Sequence, residues 1–154
     1  LELRGLDVGD RWEAIADRLE LRARDRLLAF CDVHWALGLA AAGRDAALAG
    51  LLDGMREAAG AERCDADTWR NPGLPVAEGV AAFRRGDARG AFDALWSARD
   101  RLHLLGGSHA QRDLFEQLLV AAAAGAGETA VTARLLGERR RLRPQERPWL
   151  DAVA

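Results

Sequence analysis

The chain has 154 residues, 49% of them hydrophobic and 30% charged, with 24 acidic side chains against 22 basic ones for a formal net charge of -2. That length suits a single domain able to bury about 70% of its unfolded surface. The composition is globular rather than disordered, and the charge balance offers no overall field for nucleic acid or an anionic membrane.

The longest apolar run, "LLVAAAAGAGETAV", is too short and too glycine-broken to span a bilayer. The expectation is a soluble, cytoplasmic protein that binds neither nucleic acid nor membrane. All basic residues are arginine and tyrosine is absent beside five tryptophans, a pattern of GC-rich bacterial codon usage. Cys31 and Cys64 do not make a secreted disulfide framework, so both are expected as reduced thiols. No signal peptide is visible, and the start "LELRG" lacks methionine, which suggests a fragment of a longer protein or a processed end.

In chain order, nearly every segment follows the 3.6-residue period, and none alternates like a strand. Asp10 with Glu13 reads as a capping box opening a lead-in helix over 10–22, striped by Trp12, Ile15, Ala16 and Leu19. A helix over 24–42 carries Leu28, Cys31, Trp35 and Leu39 and ends at Gly43, and the next carries Leu48, Leu51, Leu52 and Met55. Residues 60–73, "GAERCDADTWRNPG", lose the period and read as a long loop with Trp69 folded back on the core.

Pro75 suits the first turn of a helix carrying Val76, Val80 and Phe83. Gly86-Asp87 turns the chain into a stripe of Ala91, Leu95, Ala98 and Leu102. Gly106 and Gly107 can take left-handed geometry, Ser108 can cap the next helix, and Gln111 can complete a capping box. That helix buries Leu114, Phe115, Leu118 and Leu119 and stops near Gly125–Gly127. The last long helix carries Val131, Leu135, Leu136 and Leu142, Pro144 ends it, and "RPWLDAVA" reads as a short terminal helix.

The helices therefore come in pairs, 24–59, 74–105 and 108–143, with Gly43, Gly86 and Gly127 at the inner turns, 43 and 41 residues apart. Such a period predicts one all-α domain of about seven helices, with antiparallel pairs stacked as a right-handed, tetratricopeptide-like superhelix. In "GVAAFRRGDARGAFDALWSA", Gly79, Ala91 and Ala98 occupy the small-residue positions where such helices press together. The first pair departs from this pattern, with Leu48 and Met55 where alanines are expected.

The segments "LDVGDRW" (6–12), "DVHWALGLAAAGR" (32–44), "GVAAFRRGD" (79–87) and "LLGGSHAQRDLFEQLL" (104–119) resemble the family of tetratricopeptide repeat protein 38, along essentially the whole chain. The resemblance implies a helical-repeat fold matching the C-terminal portion of that longer family, and it implies no reaction.

If first helices line a shared groove, "CDVHW" and "SHAQRD" face the same space. The candidate binding residues are Asp32, His34, Arg84, His109, Arg112, Asp113 and Gln117. His109, Asp113 and Gln117 form an i, i+4, i+8 stripe. Each also has a structural explanation: Asp113 favours a first turn, His109 is an exposed first-turn side chain, and His34 sits at the edge of an apolar stripe, bonded to a carbonyl or to Asp32.

Cys31, His34, His109 and Asp113 are competent metal ligands but lack a close-spaced second pair, so no metal or cofactor is expected. Ser97 and Ser108 are the only serines, and a Cys31–His34 dyad would lie in an apolar stripe, so no catalytic residue is assigned. The expected function is a noncatalytic scaffold holding a protein or peptide in a concave groove. The alternative is a small-molecule or metal-dependent site where His34 meets His109 and Asp113. Phe92 and Trp96 pack either within the chain or against a second copy in a homodimer.

Overall fold

The computed structural model describes residues 2–4 and 6–143, and among these residues there are helices and no strands. A short turn at Glu2–Arg4 precedes α1 (Arg11–Glu20), α2 (Ala29–Ala41), α3 (Asp45–Gly60) and the single turn α4 (Ala66–Thr68). A tight turn, Trp69–Gly73, leads into α5 (Leu74–Arg84) and α6 (Ala88–Ala98). A 3-10 segment, Arg99–Leu105, then leads to α7 (His109–Gly125) and α8 (Thr129–Leu142). Seven of the α-helices have ten residues or more. The expected terminal helix "RPWLDAVA" and the stop at Pro144 lie outside the described residues.

The centre of the molecule is α5. Val76, Ala77, Gly79, Val80, Ala81 and Ala82 are all buried, leaving no broad polar face, and a helix that is apolar around most of its circumference has to be enclosed by others. It packs on α2, α3, α6 and α7, while α1 leans on α2 and α8 on α7. Gly79 permits the closest approach. A methyl group there would come 2.7 Å from Leu95 Cγ of α6, so the backbones meet where a side chain cannot fit. Ala91 and Ala98 face the same interface with no exposed surface. At the three inner turns Gly43, Gly86 and Gly127 all have positive φ, 66°, 80° and 76°, as the pairing of helices predicts.

The beginning of the chain departs from expectation in three places. Asp10 makes no side-chain cap to α1, and Asp7 instead accepts the Gly9 amide at 2.8 Å. Ile15 of the predicted stripe is 45% exposed. The helix expected from residue 24 begins only at Ala29, because Leu28 is extended and Arg26 sits at φ 48°. Its buried face is rotated accordingly: Ala29, Asp32, Val33, Ala36 and Leu39 are buried, Leu28 is 56% exposed and Cys31 only half-buried.

The rotation places Asp32 in the core with no exposed surface. Arg26 supplies its counter-charge, donating from Nη1 to Asp32 Oδ2 at 2.7 Å and from Nη2 to the Leu51 carbonyl of α3 at 3.1 Å. The guanidinium occupies the space beside Gly54, where a methyl would come 2.3 Å from Arg26 Nη2. The connector, α2 and α3 are joined through this one side chain.

Residues 60–73 are more ordered than a long loop. They hold α4 and the turn, and Trp69 is fully buried as expected, donating from Nε1 to Asp65 at 3.1 Å. Phe92 is buried within the chain, and its ring lies 5.7 Å from that of Trp96, over which Arg99 and Arg134 stack. Leu142, expected on an apolar stripe, is 82% exposed.

Candidate functional site

The Gly106–Gly107 corner builds the site. Both glycines have positive φ, 80° and 69°, so the chain reverses between the 3-10 segment and α7 in a conformation that side chains resist. Ser108 then caps α7. Its backbone amide donates to Gln111 Oε1 at 2.8 Å, and its hydroxyl accepts the Gln111 amide at 3.3 Å, forming the predicted capping box.

With the helix start fixed, its first turn carries His109, Arg112 and Asp113. His109 is exposed. Arg112 turns back over the corner, donating from Nη1 to the carbonyls of Gly106, at 2.9 Å, and Gly107, and its Nη2 lies 3.3 Å from His109 Nδ1.

Asp113 points inward and is 8% exposed. It accepts from Gln117 Nε2 at 2.7 Å, from Arg143 Nη1 at 2.6 Å and from both terminal nitrogens of Arg139. Burial pushes the carboxyl pKa up, but hydrogen bonds from Arg139 and Gln117, with the charges of Arg139 and Arg143, more than offset this and hold it below the ordinary carboxylate value. The carboxylate is a clamp between α7 and α8.

Around this clamp the 3-10 segment, α7 and α8 enclose a cleft of about 320 Å³. Leu102, Val120 and Leu135 line it with apolar surface, His109, Arg112 and Arg143 contribute donors, His103 stands at its edge with Nδ1 donating to the Asp100 carbonyl at 3.1 Å, and Arg99 lies within it between Glu116 and Glu138. Three of the seven predicted site residues, His109, Arg112 and Asp113, therefore share one cleft. Gln117 supports it through Asp113.

The remaining candidates lie elsewhere. Arg84 is held by Glu2, at 2.9 Å, and by the Ala41 carbonyl. His34 does not line the cleft: its Nδ1 donates to the Phe30 carbonyl at 2.7 Å and its ring is packed between Phe30 and Phe115. Asp32 is committed to Arg26. Burial raises the Asp32 pKa to about 6, against the pull of the Arg26 charge and hydrogen bond. The convergence of His34 with His109 and Asp113 in one pocket is thus not what the fold produces.

Sequence reasoning missed Arg99, His103, Glu138, Arg139 and Arg143. A signal for the last two was present: Arg139 and Arg143 have the four-residue spacing of one helix face in the sequence, as Asp113 and Gln117 do, although α8 ends one residue before Arg143. Among the described residues no three His, Cys, Asp or Glu side chains cluster as a metal site, and no helix is long and apolar enough to cross a membrane. No family model matches the chain, and no solved structure matches it.

Proposed function

We propose that this chain is a noncatalytic helical-repeat scaffold that receives a protein or peptide segment in the cleft between the 3-10 segment, α7 and α8. The supporting observation is the makeup of that cleft, a space of about 320 Å³ with apolar lining and a rim of arginine and histidine donors. Such a mixture suits a side chain seated among other side chains, with polar groups fixing its orientation. Ser108 is occupied as a helix cap, and Cys31 has its thiol pKa raised by burial and by the neighbouring Asp32 charge, the reverse of an activated nucleophile.

In this reading the units α2/α3, α5/α6 and α7/α8 are tetratricopeptide-like pairs of a right-handed superhelix, related to the tetratricopeptide repeat protein 38 family. The packing of α5 against both α2 and α7 supports the stacking, and so do the turn glycines and the close contact at Gly79. Binding is confined to the last pair, because Asp32, His34 and Arg84 serve internal contacts.

The test is a peptide-display selection on the wild-type protein, with the selected peptides re-measured on a variant carrying both His103→Ala and His109→Ala. These side chains are exposed, so the fold tolerates their loss. The expected result is a loss of binding of about tenfold or more, which corresponds to about 1.4 kcal/mol for two side chains in direct contact with the guest. Selected peptides that bind the variant unchanged would refute the proposal.

A further inference from the structure

The charges within the cleft are not all balanced. Four arginines, Arg99, Arg112, Arg139 and Arg143, face three carboxylates, Asp113, Glu116 and Glu138. Arg99 is paired with Glu116 and Glu138, and Arg139 and Arg143 with Asp113. Arg112 is the one arginine of the cleft that has no carboxylate partner among the described residues. Its contacts are two backbone carbonyls and His109.

Those contacts hold Arg112 in place without neutralising it. Both Nη1 hydrogens are committed to the Gly106 and Gly107 carbonyls. A guanidinium carries five N–H donors, so Nε–H and one Nη2–H remain for a guest. The carbonyls orient the planar head, which lowers the ordering cost that usually makes an exposed arginine a weak binder. His109, whose Nδ1 accepts from Arg112, keeps its Nε2–H as a further donor in the same space. A fixed, half-buried cation beside an apolar lining complements a carboxylate next to an apolar side chain.

We propose that the cleft selects an acidic peptide segment, with a glutamate or aspartate carboxylate on Arg112 and an adjacent apolar side chain over Leu102, Val120 and Leu135; this rests on reading the cleft as a docking site.

The experiment follows backbone amides and the Arg112 Nε–H by nitrogen–proton correlation spectra during titration with the nonapeptide acetyl-GSALELASG-amide, its Glu-to-Gln analogue, or inorganic phosphate. The Glu peptide is expected to shift Gly106, Gly107, His109 and Arg112, with affinity at least about fivefold above the Gln analogue, as for one charge-assisted contact. Arg112→Gln should make the two peptides equal. Arg112→Lys, which keeps the charge but not the double carbonyl contact, should leave a reduced preference and serves if Arg112→Gln loses spectral dispersion. Equal affinity for both peptides on wild type, or no shift from either, overturns the carboxylate inference and leaves the docking reading to the display selection. Phosphate binding as tightly as the Glu peptide, with the same shifts, overturns the peptide commitment in favour of a small-anion site.

Discussion

Asp32→Asn tests the physical account of the core directly. The Asp32 side chain has no exposed surface, and Arg26 is its one ionic partner among the described residues. Only Oδ2 receives a hydrogen bond; Oδ1 is buried without a partner, as is Nε of Arg26. Desolvation therefore outweighs the ion pair, and the carboxyl pKa rises from 3.8 to about 6.

Because the folded value lies above the unfolded one, the folded state binds the proton more tightly. The stabilisation linked to that proton is complete below about 3.8 and is lost as pH rises through about 6. A difference from 3.8 to about 6 corresponds to about 3 kcal/mol. Urea unfolding of wild type and Asp32→Asn, followed by circular dichroism from pH 4 to pH 7.5, isolates this contribution, since asparagine does not titrate in the interval. Wild type should lose up to about 3 kcal/mol relative to the variant across it. A difference that is flat with pH, or wild type gaining on the variant as pH rises, would show that Arg26 holds the carboxylate at or below its ordinary value and would refute the reasoning.

Two further predictions concern the other end of the chain. Asp113→Ala should cost about 3 kcal/mol in urea unfolding at pH 7, because it removes the buried carboxylate through which Arg139 and Arg143 are tied to α7. Since Asp113 has a lowered pKa, its contribution is present above the ordinary carboxylate value and fades as pH falls through the depressed one, the opposite of Asp32. A variant less than about 1 kcal/mol destabilised would show the clamp to be an exposed-type ion pair. Gly107→Ala should cost about 2 kcal/mol, from φ 69° and from a methyl 2.3 Å from Phe30 Cε2, whereas a variant as stable as wild type in thermal unfolding would mean that the corner relaxes freely.

Which parts of this fold could be read from the sequence follows from how local their determinants are. The stripes of α5, α6 and α7, the turn glycines and the Ser108–Gln111 box depend on residues within a few positions of one another, and the structure agrees with them apart from Phe83 and Leu114, which are only half-buried. The face of α2 was misread because a charged residue ordinarily marks solvent, and Asp32 is in the core only because Arg26 reaches it from a connector in left-handed geometry. Periodicity carries no record of that contact. Asp113 was legible as a polar residue of a stripe but not as a buried one, since its partners lie 26 and 30 residues away, on α8 and just past its end.

The two buried aspartates also explain why the candidate site lies where it does. Most of the helices meet through apolar surface, and α5 is enclosed by it, but α8 contributes Leu135 as its one buried side chain among the described residues. Its attachment to α7 therefore relies on Asp113, with Arg99 bridging to Glu138 as a second polar tie. Polar ties order side chains without removing much apolar area, so the helix they hold opens at lower cost than one seated in the core. The cleft lies along that seam and shares its arginines. A guest contacting those arginines acts on a helix held largely by polar ties, so loosening α8 through Asp113 should weaken binding in the cleft even though the arginines themselves remain.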